Sequence, residues 1–469
     1  MSKKVFEDGD EGVRLIVSDN SHAQPAAGAR RPVHVIYGGA NLYRHDSAQK
    51  LGRIALETLV TYAPNFADLA RGMGLPGADA LPSDAGAVDA MRNSFLSSPE
   101  ELKAENFSAW LANAVYDRTV EKLRRQPVED LRIDFEDGFG VRSDEEEDAA
   151  ALASSAELAL ACESGTVTEF CGIRIKPLSS GSSARAVKTL EMFVKDLAGR
   201  LGGRLPDNFV VTLPKVSGKD EIKQLVKELE RIEDEAGLAR SSVGIEFLIE
   251  TPQAILNYKG KVPIASMVRA ADGRCRSVHF GAYDYTASLG ISSEHQHIHH
   301  PACEFARQIM LVSLAPLGIP VSDSVTNLLP VAPHRGPDLA GAEMAANCTA
   351  ILSGWREHFA NVSRSMANGF YQSWDLHPNQ LPARFAAVHT FYLSGADTAF
   401  RRIRSFADKA AQAILTGQTF DDAASARGIV NFLERGAACG AFSDEEIERF
   451  AGSSLLQLRQ LFADVTSDA

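Results

Sequence analysis

Short apolar runs alternate with longer amphipathic stretches over most of the chain. Val33–Tyr37 (VHVIY) precedes a helical pattern over Ser47–Tyr62, and Asp130–Asp137 (DLRIDFED) precedes an acidic, alanine-rich one over Asp144–Cys162. Glu169–Pro177 (EFCGIRIKP) leads into Ala184–Leu197, and Asn208–Val216 (NFVVTLPKV) into a charged helix over Lys219–Ala236. Val243–Thr251, Ser277–Asp284, Ile319–Asp323 and Ser373–Pro378 complete eight candidate strands. Runs this apolar, separated by helical patterns, are the mark of parallel βαβ units covered on both faces. Eight of them predict a closed (β/α)8 TIM barrel in preference to an open doubly wound sheet. No GxGxxG follows the first strand, which weakens a dinucleotide-binding alternative.

The pattern also divides the chain. Residues 1–29 are small, polar and charged and read as an N-terminal tail. Residues 30–399 hold the barrel, with a stretch between Ile36 and Asp134 long enough for extra helices. Residues 400–469 are wholly helical in pattern, over Phe400–Leu415, Phe420–Arg435 and Asp444–Phe462, and Ser443 is the expected N-cap of the last. This C-terminal helical extension is expected to pack on the barrel or on a neighbouring subunit.

Composition narrows the classes. Hydrophobic residues make up 45% and charged residues 23% of 469, ordinary values for a globular protein. A net charge of −13 excludes a broad surface for nucleic acid or an anionic membrane, though not an anionic small substrate held by a few arginines. Six cysteines without a CxxC pair, and a polar start with no signal-peptide core, point to reduced thiols in the cytoplasm. No apolar run reaches the ~18 residues of a membrane span.

In such a barrel the C-terminal strand ends face the active site. Those ends carry Asp134, Glu136, Asp137, Arg174, Lys176, Lys215, Glu250, Asp284, Asp323, Asp375 and His377, an unusual density of charge. Glu250 and Asp284 end adjacent runs, and strands ~5 Å apart bring two carboxylates within reach of one hard cation. Two carboxylates completed by water and substrate oxygens suit Mg²⁺, which would chelate a 2-oxo-acid and stabilise an enolate. The plainer reading makes both residues helix or turn caps. Arg174 is placed to clamp a substrate carboxylate, or else to pair with the DFED acids. Lys215 suits electrostatic stabilisation of an oxyanion better than a Schiff base, unless it merely pairs with Glu246 or Glu250. Alternation puts Glu136 on the side of Asp134 and Asp137 opposite, as supports for the cations or caps of the next helix. Asp323 and His377 are further substrate-side candidates. The run EHQHIHHPAC (Glu294–Cys303) fits no common structural zinc spacing and reads as a polar loop over the site. GGAN (Gly38–Asn41) and SSGSS (Ser179–Ser183) are weak phosphate-cradle signals.

The ordered segments RIDFEDG, GIRIKPL, VTLPKV, FLIETPQAI, HFGAYDYTASLG, IPVSDSV and WDLHPNQLPARF resemble the HpcH/HpaI aldolase and citrate lyase β-subunit superfamily, which includes the malyl-CoA lyases. The resemblance runs over most of residues 33–390. It implies a (β/α)8 barrel, a homo-oligomer (trimer or hexamer), and Mg²⁺ held by Glu250 and Asp284. It also implies that Arg174 binds the oxo-acid carboxylate with the DFED acids behind it, and that a late acidic residue completes a neighbour's site in acyl-CoA-handling members. Lys176 departs from the asparagine usual there, and the long insertion, the histidine-rich loop and the longer tail also depart; these bear on the substrate. The HPNQ stretch at His377 is retained.

The expectation is a Mg²⁺-dependent carbon–carbon lyase or aldolase acting on a 2-oxo-acid or its adduct, with an acyl-CoA thioester among the candidates and the general base unassigned. The alternatives are a thioester hydrolase on the same scaffold and a non-catalytic metabolite-binding or assembly protein.

Overall fold

The computed structural model describes residues 30–178, 181–416 and 423–460. The expected tail over residues 1–29 lies outside them. Eight strands form the expected barrel: β1 His34–Gly39, β2 Asp130–Asp134, β3 Phe170–Arg174, β4 Phe209–Leu213, β5 Gly244–Ile249, β6 Cys275–Phe280, β7 Val321–Val325 and β8 Gln372–Asp375. They pair in parallel in chain order, and β8 closes on β1. Each lies within or overlaps its predicted run. The charged tails of several runs leave the ladder, however. β2 stops at Asp134, so Glu136 and Asp137 sit on a turn, and Asp284 lies in the first turn of a short helix, Ala282–Ser288, after β6 has ended.

Strand register sets the levels inside the barrel. Gly39 pairs with Asp134, and Asp134 with Arg174, so these three stand at one height at the C-terminal end. Below them Val35, Leu248, Val325 and Trp374 form a small apolar layer with Tyr37 against it. The floor is polar. Glu246 accepts hydrogen bonds from Tyr37 Oη (3.0 Å), Thr212 Oγ1 (2.7 Å) and Ser277 Oγ (2.6 Å), and pairs with Arg132 (3.0 Å) and His279 (2.8 Å). Arg132 is also held by Asp130. Glu246 is therefore saturated by the floor, and it is not a partner of Lys215. The main apolar core lies outside the strands, where Ile133, Ile173, Val211, Ile245, Phe247 and Phe280 meet the helices.

The helices follow their sequence signals. Ser47–Tyr62 and Lys219–Ala236 have the predicted bounds, and Asp144–Ser164 opens on a capping box of Ser143 and Glu146. The long β1–β2 connection carries four further α-helices, among them Phe107–Arg125. At the far end one helix runs from Leu381 to Thr416, straight through the 399/400 boundary drawn from the pattern. Ser443 caps Asp444–Ala451 as expected, with Glu446 completing the box. That helix stops at Ala451 because Gly452 takes a left-handed φ of 78°, so the predicted Asp444–Phe462 element is broken; residues 461–462 lie outside the described residues. No helix among the described residues is long and apolar enough to cross a membrane.

The long C-terminal helix carries a pH liability. His389 is fully buried and stacks on Phe385 with centroids 6.3 Å apart. Burial, and then the charges of Arg118 and Lys122, push its pKa down to about 3 from 6.5. A depressed folded value means that this contribution is intact above pH 6.5 and is lost as pH falls through 6.5 towards 3. His389→Leu is expected to flatten the acid loss of stability over that window by up to ~1.4 kcal/mol per pH unit, read from urea midpoints against pH.

Candidate active site

Asp134 organises the mouth of the barrel. Its Oδ1 accepts the Glu136 N–H at 3.0 Å and its Oδ2 the Gly138 N–H at 2.7 Å, which curls the chain after β2 into a tight turn. The same carboxylate receives Nε (2.7 Å) and Nη2 of Arg174 in a two-pronged pair. Tyr37 lies beneath, its ring centroid 4.8 Å from the guanidinium. Arg174 is buried, and only Nη1 is turned from Asp134; it meets Glu136 Oε2 at 3.1 Å. Burial acts to lower its pKa, but Asp134 and Glu136 outweigh it and keep the charge in place.

Lys215 comes from the turn after β4. Its Nζ bonds Glu136 Oε1 and lies 3.4 Å from Asp137 Oδ2 and 3.6 Å from Asp284 Oδ2. Glu136 and Asp137 thus both reach the same ammonium. The expected alternation fails because the strand has ended and the Asp134-bonded turn has replaced it. Burial acts to lower the Lys215 pKa, yet Glu136, Glu250 and Asp284 together raise it above its ordinary value. An amine held protonated this firmly is a poor Schiff-base nucleophile and a good electrostatic group.

Glu250 follows β5 directly and is buried, with Oε2 accepting the Lys215 backbone N–H at 2.8 Å. Gly281 faces it: a Cβ there would stand under 3.0 Å from Glu250 Cγ, Cδ and Oε1. Burial, and then the charge of Asp284, raise the Glu250 carboxyl to about 8. Asp284 is 44% exposed, and it caps nothing described: its helix has Gly281 at the N-cap and no side-chain cap bond. Five carboxylates (Asp134, Glu136, Asp137, Glu250, Asp284) therefore surround two cations at the end of β2 to β6.

Other strand-end candidates point elsewhere. Asp323, expected on the substrate side, is turned to the helical layer, where Arg307 (3.2 Å), Ser365 Oγ (2.6 Å) and the Ser324 N–H (2.8 Å) hold it. Asp375 likewise faces outward, onto Arg384, His34 and His358. Asp375 sits one residue from the inward Trp374, and in β7 a register shift separates Asp323 from the inward Val325, so ending a run in an acid does not put it in the mouth. His377 accepts the Asn379 N–H at 3.1 Å through Nδ1 and caps the Pro378–Gln380 turn; burial and Arg335 lower its pKa. Lys176 pairs with Glu147, outside the cluster. In the histidine-rich loop, His299 bonds Asn361 at 2.6 Å and His300 caps the Pro301–Leu314 helix. Gly39 of GGAN is needed because its Cβ would fall under 3.0 Å from the Gly138 carbonyl oxygen, which accounts for that glycine by packing. Ser179 and Ser180 of SSGSS lie outside the described residues.

Residues 21–464 match a family described as a domain of unknown function, DUF6986. The chain belongs to this family. No curated protein matches the DUF6986 chain. Among solved structures it is similar to Haloferax volcanii malate synthase at 3 mM glyoxylate, with 16% identity, 58% of this chain and 70% of that one covered, and a TM-score of 0.41. The magnesium/glyoxylate complex of the same enzyme gives 18%, 60%, 70% and 0.40 in the same order. An HpcH/HpaI aldolase/citrate lyase family protein from Burkholderia cenocepacia J2315 gives 12%, 62%, 90% and 0.34. Scores at this level carry no residue role across.

The chemistry of the DUF6986 site rests on its own donors. Among the described residues no three His, Cys, Asp or Glu side chains converge as a ready metal cluster. A Mg²⁺ site needs fewer, since that ion keeps several waters and takes one or two carboxylates. Glu250 and Asp284 offer only oxygen and both contact Lys215, and the Glu250 carboxyl is raised by burial and then by the charge of Asp284. Sequence reasoning undervalued Asp134, Tyr37 and Gly281. Asp134 was legible as an inward residue two before Glu136, but neither the Tyr37 platform nor the Gly281 approach has a sequence signal, since each depends on register between different strands.

Proposed function

We propose that this DUF6986 protein is a Mg²⁺-dependent carbon–carbon lyase or aldolase acting on a 2-oxo-acid or its adduct, with CoA thioesters among the candidate adducts. The observation that carries the reading is that Glu250 and Asp284 both contact Lys215, which shares Glu136 with Arg174, at the C-terminal mouth of one barrel. Glu250 and Asp284 would hold the ion. When bound, Mg²⁺ supplies Lewis-acid polarisation of the oxo-acid oxygens. Arg174 Nη1, fixed by the grip of Asp134 on the rest of the guanidinium, presents N–H donors to the substrate carboxylate. Lys215 remains protonated and favours negative charge developing on the fragment that leaves. Neither group serves as the general base, which stays unassigned.

The test is isothermal titration of Mg²⁺ with and without pyruvate, oxaloacetate or glyoxylate, on wild type and Glu250→Gln. Glutamine keeps the shape and an acceptor for the Lys215 N–H, and is expected to weaken Mg²⁺ by more than ~100-fold, beyond the usual cost of losing an outer-shell partner. Metal-dependent oxo-acid binding that disappears in the variant supports the reading. Folded wild type that binds neither metal nor oxo-acid overturns it and favours a non-catalytic role; turnover of thioesters without carbon–carbon cleavage points to the hydrolase.

A further inference from the structure

Lys215 is an L residue at φ 52°, one of four non-glycine residues with positive φ among those described. A side chain in that region is strained and persists where its surroundings demand it. Here the left-handed turn achieves two things at once. It directs the backbone N–H onto Glu250 Oε2 at 2.8 Å, and it sends the side chain back over the mouth to Glu136, Asp137 and Asp284. One residue thereby touches both carboxylates assigned to the metal, one through its main chain and the other through its ammonium.

Arg174 cannot do the same. Its Nε and Nη2 are taken by Asp134, and its face rests on Tyr37. The Lys215 side chain is 30% exposed, and its flexible stem meets Glu136, Asp137 and Asp284 through the terminal ammonium alone. It can swing away without disturbing the main-chain bond to Glu250.

We propose that the Lys215 ammonium is the built-in counter-cation of this acidic mouth, which a divalent ion must push off Asp284 and Glu136, so that Lys215 sets the metal affinity of the site. The proposal rests on the metal reading given above. It makes Lys215 a positioning residue for the ion: the ammonium neutralises acids that would otherwise repel one another, and competes for the same oxygens.

The experiment is Mg²⁺ titration by calorimetry, with no substrate present, on wild type, Lys215→Met, Lys215→Gln, Lys215→Arg and Lys176→Met, each checked for folding by circular dichroism. Against a divalent ion, a unit charge about 6 Å away is worth roughly tenfold even at the dielectric constant of water. Lys215→Met and Lys215→Gln are therefore expected to bind Mg²⁺ at least ~10-fold more tightly than wild type, the neutral pair serving as mutual checks against a folding defect. Lys215→Arg, which keeps the charge, and Lys176→Met, which removes a lysine paired to Glu147 outside the cluster, are expected to stay within ~3-fold of wild type. Wild type that binds Mg²⁺ while both neutral variants bind it equally or less tightly overturns this proposal and leaves the metal site standing. Absence of binding in wild type and all variants overturns both. A comparable gain in Lys176→Met also overturns it, because the effect would then be one of net charge.

Discussion

Gly281→Ala is expected to remove most of the metal affinity of the proposed Mg²⁺ site while leaving the fold in place. Gly281 has φ −106° and ψ 86°, a backbone that alanine tolerates, so the substitution brings no left-handed strain. Its Cβ, however, would stand under 3.0 Å from Glu250 Cγ, Cδ and Oε1, closer than real carbon atoms approach. Cγ is not the free end of a flexible chain, so the whole carboxylate must leave its present position. The consequence is a Glu250 that is intact but misplaced by about an ångström, the scale at which site function is lost. Mg²⁺ titration should show at least a ~10-fold loss, with thermal unfolding close to wild type. Unchanged Mg²⁺ affinity in a folded Gly281→Ala protein would remove Glu250 from the ligand set.

Asp375→Asn has the largest expected effect on stability, and none of it comes from the barrel mouth. Asp375 is fully buried and receives Arg384 Nη2 at 2.7 Å, His34 Nδ1 at 2.6 Å and His358 Nε2 at 2.8 Å, joining β8 and β1 to two long helices. Burial acts to raise the carboxyl, but Arg384, with the hydrogen bonds of the two histidines, holds it well below the usual range. Asparagine keeps the shape and leaves the buried Arg384 uncompensated. Breaking such a pair from one side costs about 3–5 kcal/mol. A fall of that size in urea unfolding is expected for Asp375→Asn; a change under ~1 kcal/mol would show that solvent or a rearranged acid satisfies Arg384.

These two residues mark what the sequence could and could not disclose. The eight-strand barrel was legible because apolar runs and helical patterns are local and repeat with their own periods. The extra helices before β2 and the Ser443 cap were legible for the same reason. Glu250, Asp284, Arg174 and Lys215 were all legible as charged residues at or just after strand ends, and the structure brings these four to one mouth.

What failed was direction. Asp323 and Asp375 read as members of the same ring of charge as Arg174, yet they face the helical layer. The parity of a residue depends on where its strand begins and on shifts such as that between Asp323 and Val325 in β7, which composition does not mark. Asp137 was assigned away from Glu136 on the assumption that β2 continued; the turn bonded to Asp134 brings both onto Lys215.

By itself, then, the sequence determined the barrel, the order of its units and a pool of charged residues near the strand ends, since each follows from short-range periodicity. Only the tertiary structure decided which charges meet. The pairing of Asp134 with Arg174, the left-handed Lys215 that touches two acids, the bare Cα of Gly281 against Glu250 and the polar floor around Glu246 all join residues from different strands. Their geometry is fixed by register and closure of the sheet, which are properties of the folded whole.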